Sequence, residues 1–256
     1  MIVFVAALRR ELNDLHSLVR IERRDRVGRM IVATGTSKNA KVALVQSGIG
    51  RERSQEATRF AIEQLRPDVL LSIGLSGGLA QSVQGGDLIL GGRLLAYDAA
   101  GNPLGEPIAA EPSLHRDCAK ALEQEFIPVH HGDVVSVPEV MPGQAEKQRL
   151  ATASGAKAVD MESYWVASEA RKAGVPFLVM RAASDTLGES LPDYERFLDE
   201  MGEVRPIHAA WYFLTHPGGL AAAPGLAQNA RRGGRYMQAF CELFFTKIYR
   251  GAPVRR

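Results

Sequence analysis

The stretch from Ala158 to Asp185 constrains the fold most, because it reads as strand, helix and strand in close succession with acidic residues at the strand ends. Lys157 to Asp160 has the pattern of a short strand's end. Met161 to Lys172 places apolar residues at Met161, Trp165, Val166 and Ala170, the spacing of one helix face. Gly174 and Pro176 stop that helix. Phe177, Leu178, Val179 and Met180 then follow without a polar residue, as expected of a strand covered on both faces of a sheet, and the run ends at Arg181 to Asp185. Asp160, Glu162 and Asp185 are therefore expected near the carboxyl ends of strands, where open α/β sheets bind ligands.

The rest of the chain carries the same alternation. Strands around Met30 to Ala33 and Val42 to Gln46 flank a turn at Gly35 to Lys41, which predicts a hairpin. Helical spacing runs from Glu52 to Leu65, a strand from Asp87 to Tyr97, and an extended piece near Leu104 to Ala109. Helices are predicted at about Ser113 to Glu125 and Gly143 to Ser154, with the strand His131 to Val137 between them. A chain of 256 residues, 46% hydrophobic, can bury a sizeable core as one α/β domain.

Composition also removes several classes of function. No apolar run approaches the roughly 20 residues that span a bilayer. The strand-like Ile2 to Ala7 leads directly into Arg9, Arg10 and Glu11, unlike a secretory signal, so a cytoplasmic location is expected. Cys118 and Cys241 lie far apart in helical contexts and read as two buried thiols, with no zinc spacing. GLSGGL lacks the GxGxxG spacing of a dinucleotide fingerprint. No bound cofactor and no metal are expected, and no nucleic-acid motif is present.

The segments AVDMES and RAASD resemble the nucleoside phosphorylase and nucleosidase superfamily, whose members carry Val-(Asp/Glu)-Met-Glu followed by Arg-Ala-x-Ser-Asp at about this separation. MIVFVAALRREL is similar to that family's first strand and loop, SGIGR at Ser47 to Arg51 to its Gly-rich turn, and PDVLLSIGLSGGL at Pro67 to Leu79 to its central strand and glycine loop. The resemblance covers residues 1 to about 200. It implies a twisted mixed β-sheet of the phosphorylase/hydrolase-like, three-layer αβα type, wrapped by helices. Residues 1–204 would be the catalytic domain and 205–256 a basic helical C-terminal extension packed on it.

Breaking an N-glycosidic bond, the chemistry this resemblance implies, needs an acid at the departing base and electrostatic support at the sugar. Asp185 matches the family's acid, protonating purine N7, with Ser184 before it as the pattern demands; its carboxyl must then have a raised pKa. Glu162 matches the carboxylate that accepts hydrogen bonds from ribose hydroxyls, a role suited to the ionised form, with Met161 on the sugar's apolar face. Ile49, Ser76 and Gly77 fall in the loops that line the substrate pocket. Asp160 is a weaker candidate, because its side chain points away from that of Met161 if the strand continues that far.

Whether water or phosphate attacks is read from two positions. Glu11 falls where hydrolytic members carry the Glu that activates water, and Ser72 falls where phosphorylases carry an arginine; both favour hydrolysis. Arg10, one step away, and Arg51, at a helix start suited to anions, keep inorganic phosphate open as the alternative co-substrate. The segment SVPEVM offers Val140 and Met141 where methylthioadenosine and S-adenosylhomocysteine nucleosidases carry an adenine-stacking aromatic. LLSIGLSGGL, AVDMES and the tail through LAQNARR resemble the hopanoid-associated branch, whose implied reaction removes adenine from an adenosyl-hopane. Tyr97, Tyr164, Trp165 and Tyr194 all stand as candidates to line the pocket.

Charge is uneven: residues 205–256 hold eight Lys or Arg against one acid, leaving 23 cations against 28 acids before them. Met237, Phe240, Cys241, Phe244 and Ile248 form one helical stripe, widened by Phe245 and Tyr249. Such a stripe closes a core or a dimer interface; together with the basic tail it also makes a peripheral membrane contact worth testing. The resemblance implies a purine nucleoside substrate and a homo-oligomer.

Overall fold

The computed structural model describes residues 1–38, 40–141, 143–190, 199, 205 and 217–249, the last segment with side chains from 224 onward. The strands are β1 (Ile2–Ala6), β2 (Arg20–Val27), β3 (Met30–Ser37), β4 (Ala40–Gln46), β5 (Val69–Gly78), β6 (Leu88–Ala96), β7 (Ile108–Ala109), β8 (Val129–Ser136), β9 (Ala158–Asp160) and β10 (Phe177–Asp185). The helices are α1 (Arg9–Asn13), α2 (Arg51–Phe60), α3 (Pro112–Gln124), α4 (Gln144–Ser154), α5 (Ser163–Lys172) and α6 (Pro217–Leu243).

The centre of the sheet is parallel: β1 lies between β4 and β5, and β5 pairs along its length with β10. These strands alternate between two cores, as a period of two requires. Ile2, Phe4 and Ala6 face one with Leu12, Leu15, Cys118, Leu122 and Phe240, and Val3 and Val5 face the other with Ala57, Trp165 and Ala170. Helices thus cover both faces, the expected three layers. Beyond β5 the sheet curls. β10 pairs with β6, β6 with β8, β8 with β9, and β9 returns antiparallel to β5 at Gly77 and Gly78, so that five strands close a ring.

This closure leaves a gap that positions the site. On the edge away from β10, β5 pairs with β1 only as far as Ser72 and with β9 only from Gly77. The strand edge between them is open, and a backbone donor there must find another partner.

Several elements differ from the sequence expectation. The hairpin forms, but β3 and β4 run through the proposed turn to Ser37 and Ala40. Gly35 sits inside a strand, where a Cβ would lie 2.2 Å from the Arg20 carbonyl oxygen. Strand β2, with charges at most positions, was not anticipated; it is an exposed edge, where charge discourages pairing with another sheet. β10 ends at Asp185, within the expected Arg181 to Asp185. The proposed boundary at 204/205 lies outside the described residues except for Arg205. The stripe running from α6 into the helical turn Phe244–Ile248 closes the core: Met237, Phe240, Cys241 and Phe244 are at most 4% exposed. Both cysteines are free and buried. Among the described residues no helix is long and apolar enough to cross a membrane.

Candidate active site

A cavity of about 170 Å³ lies at the β5 gap, at the carboxyl ends of β5, β9 and β10. It is lined by all eight residues expected to form the site: Glu11, Ile49, Ser76, Gly77, Met161, Glu162, Ser184 and Asp185. Val140 and Met141 line it as well, whereas Tyr97, Tyr164 and Trp165 do not. Tyr164 and Trp165 pack edge to face within α5, and Tyr194 falls outside the described residues.

Glu11 enters the cavity because β1 ends at Ala6 and α1 turns the chain toward β5. One oxygen accepts the Leu75 N–H, at 2.8 Å, inside the stretch of β5 that β1 and β9 leave unpaired. The other accepts the Leu8 N–H, also at 2.8 Å. Burial raises the Glu11 pKa, while the Leu75 N–H, Arg181 and the Leu8 N–H pull it back. Gly74 makes room for this carboxylate: a Cβ there would stand 2.8 Å from Glu11 Oε1 and 2.9 Å from Arg181 Nη1. Arg10 lines the same cavity, but its side chain is exposed.

Glu162 sits between β9 and α5. Its Oε1 accepts the Gly50 N–H at 2.8 Å, from a backbone with φ of 95° that favours glycine. The acceptor held at the start of α2 is therefore the Glu162 carboxyl. Arg51 turns away and stacks over Trp165 at 4.1 Å. Burial, with the nearby Asp160 charge adding to it, pushes Glu162 up to about 8 against the pull of Arg181 and Gly50. In the ligand-free site burial therefore favours the neutral carboxyl, whereas the ionised form is the one expected to accept from ribose hydroxyls.

Asp160 and Arg181 form the frame behind these groups. Arg181, 3% exposed, donates to Asp160 Oδ2 at 2.6 Å and to Ser72 Oγ at 2.9 Å. Asp160 also accepts the Ser136 hydroxyl at 2.6 Å and the backbone N–H groups of Glu162 and Ser163. Burial opposes the Arg181 charge, but Asp160, Glu162 and Glu11 outweigh it and raise its pKa. The arginine is a hub for three carboxylates, a role sequence reasoning missed although RAASD contains it.

Asp185 is fully buried at the end of β10. Ser184 Oγ lies 2.6 Å from its Oδ1 and 3.1 Å from the Ser76 carbonyl oxygen. A Cβ at Gly77 would lie 3.0 Å from Val159 Cγ1 and 3.5 Å from Asp185 Oδ2, so glycine keeps β5 close to both. The Ser76 hydroxyl is buried without a partner among the described residues, leaving a free polar group in the cavity. Asp185 Oδ2 also pairs with the buried Lys147 of α4, which no sequence signal had singled out. Burial raises the Asp185 pKa, opposed by Lys147 and Ser184. No cluster that could hold a metal ion occurs among the described residues.

A second, larger cleft of about 1130 Å³ shares Arg10, Glu11 and Leu75 with this cavity. Its far side is α6, with Ala227, Ala230, Gly233 and Met237.

Known proteins are similar to this chain in sequence and architecture. A 5'-methylthioadenosine/S-adenosylhomocysteine nucleosidase of Staphylococcus epidermidis is 28% identical over 208 residues, 77% of this chain and 88% of that protein. The protein of the same name from Staphylococcus aureus is 29% identical over 179 residues, covering 65% and 78%. Among solved structures, futalosine hydrolase of Helicobacter pylori superposes with a TM-score of 0.72 at 21% identity, over 94% of this chain and 97% of that one. The S-adenosylhomocysteine nucleosidase of Streptococcus pyogenes gives 0.72 at 23% identity, over 94% and 95%. These structural likenesses show a common fold. The family model described as the phosphorylase superfamily matches residues 1–209, and the chain belongs to that superfamily.

Proposed function

We infer that the protein is a nucleosidase, cleaving the N-glycosidic bond of a purine nucleoside with water. The carrying observation is that Glu11 and Asp185 line one cavity, with Glu162 beside them and both Glu11 oxygens held by backbone N–H groups. The names of the curated relatives support the same reaction on adenosine derivatives.

Asp185 gives its proton to N7 as the C1'–N9 bond lengthens. Glu162 accepts from the ribose hydroxyls and supports the positive charge that grows on the sugar, with Met161 and Ile49 packing beside it. Glu11 takes a proton from the attacking water, whose oxygen bonds to C1'. The products are the free base and the free sugar, so protons and bonds balance. Arg181 keeps the carboxylates oriented. Ser72, where phosphorylases carry an arginine, instead holds Arg181. No bound cofactor takes part in this scheme.

The substrate class we favour is a 5'-modified adenosine, methylthioadenosine-like or adenosyl-hopane-like. The large cleft adjoining the cavity past Glu11 and Leu75 supports a substituent of some length. In this reading the protein acts in the cytoplasm as a homo-oligomer. Burial of the α6 stripe leaves exposed Arg231 and Arg235 to carry any contact with an anionic membrane.

The test is incubation with adenosine, methylthioadenosine and S-adenosylhomocysteine, with and without phosphate, following free adenine and the sugar product. Free sugar without phosphate is expected, and Asp185→Asn should lose turnover by about a hundredfold or more while still binding. Sugar 1-phosphate formed only with phosphate would overturn the hydrolytic reading. Release confined to a lipid-linked adenosine would fix the substituent. Tight purine binding with no release would leave a binding protein.

A further inference from the structure

Lys147 is the most deeply buried charge that this mechanism does not use. It lies in the first turn of α4, where its backbone N–H bonds the Gly143 carbonyl. The side chain is 1% exposed. Its ammonium donates to Asp185 Oδ2, to the Thr186 carbonyl and, at 3.0 Å, to the Glu189 carbonyl. An ammonium has three protons, and all three are engaged. Lys147 thus has none to offer a substrate, and any effect on chemistry must run through Asp185. A buried lysine is costly unless paired, so its place against this carboxyl needs a reason.

We propose that Lys147 is a positioning residue for the acid: it clamps Oδ2, leaves Oδ1 beside Ser184 as the oxygen that delivers the proton, and sets how readily Asp185 gives that proton up. The proposal rests on the nucleosidase reading. A carboxyl buried alone would hold its proton too tightly to surrender it to a purine nitrogen; an adjacent cation makes it a stronger acid. Ser184 completes the arrangement. Its hydroxyl has one proton for two acceptors, Asp185 Oδ1 and the Ser76 carbonyl. When Oδ1 carries a proton, the Ser184 proton can turn to Ser76.

The other groups facing Asp185 do not substitute for the lysine. Glu189, in the turn after β10, is an acid that bonds the Thr186 N–H and raises the Asp185 pKa. Glu139, from the segment between β8 and α4, and Asp160, Glu162 and Glu11 line the same cavity with negative or neutral carboxyls. On α6, Asn229 is neutral and bonds the Ser184 carbonyl. From β5, Gly77 presents only backbone. Arg10 lines the cavity, but Lys147 is the one cation bonded to Asp185 among the described residues.

The experiment compares the wild type with Lys147→Met and Lys147→Arg, each scanned for a cooperative melt. The Asp185 carboxyl titration is read in each by infrared difference against the same protein carrying Asp185→Asn. The basic limb of kcat/KM against pH is read in parallel. Lys147→Met should move both the titration and the limb up by about one unit or more and lower the plateau rate. Lys147→Arg keeps the charge and should leave both within a few tenths of a unit. A folded Lys147→Met with an unmoved titration overturns the proposal, and Lys147→Gln gives the same reading if the Met variant does not fold. The titration needs no turnover, so a wild type inert on every nucleoside would count against the nucleosidase reading and not against this pairing.

Discussion

Replacing Glu162 with glutamine separates what this residue costs the fold from what it does for a ligand. Burial and the neighbouring Asp160 charge push the Glu162 pKa up to about 8, against 4.5 for a solvated side chain. Between those values the folded state binds more protons than the unfolded chain. Stability therefore falls as pH rises through the window, and the loss is complete above the folded pKa. With 1.36 kcal/mol per unit, and allowing for relaxation around the buried group, the loss from pH 5 to pH 8 is about 2–4 kcal/mol. Glutamine cannot ionise, and its oxygen can still accept the Gly50 N–H. At pH 5 the two proteins should melt within a degree or two of each other; at pH 8 the variant should melt roughly 5–10 °C higher, at a few degrees per kcal/mol for a chain of this size. Scanning calorimetry in matched buffers reads the gap directly. A gap that stays constant, or narrows as pH rises, would refute the reasoning, because it would mean that Glu162 is already ionised in the folded protein at low pH. The same variant should lose most turnover, since a neutral amide cannot support a cationic sugar.

Two further perturbations test the frame of the site and its support. Gly74→Ala puts a methyl 2.8 Å from Glu11 Oε1, so the carboxylate must leave the Leu75 N–H; kcat/KM should fall at least about tenfold, with a melting temperature changed far less than the activity. Phe240→Ala removes a fully buried ring where α6 meets the sheet and should cost about 3–5 kcal/mol in denaturant unfolding.

The legible part of this protein was the part where chemistry and local pattern coincide. Asp185, Ser184, Met161 and Glu162 stand in two short segments at strand ends, and the helix and strand between them follow from apolar spacing alone. Glu11 was readable only through its register in the first strand, and the structure shows why that register matters: a step of one would turn the exposed Arg10 toward Leu75. Lys147 was not legible. In GQAEKQRL it has the look of a solvated helix face, and only the closing of β9 against β5 and β8 brings α4 over Asp185. Asp160 was expected to point away from Met161 if the strand ran on, but β9 ends at Asp160, which lines the same cavity as Met161 and pairs with Arg181 on another strand. Strand β2 escaped notice because RIERRDRV has charges on both faces, and its place at the sheet edge is set by pairing with β3 rather than by burial.

The open edge of β5 links fold to chemistry. A strand that leaves one neighbour at Ser72 and meets the next at Gly77 must satisfy the backbone between them some other way, and the Leu75 N–H does so with the carboxylate of Glu11. The group that would activate water is thus also the group that completes the sheet. Placing it there brings three carboxylates, Glu11, Asp160 and Glu162, around one guanidinium, and a single positive charge cannot balance three negative ones out of water. At least one carboxyl must keep a proton, and burial beside Asp160 selects Glu162. In the proposed reaction a sugar that becomes positive as its base departs would supply the missing charge, and Glu162, its proton released to solvent as substrate binds, would be most stable as an anion at that moment. The electrostatic deficit of the empty site then favours the transition state over the ground state.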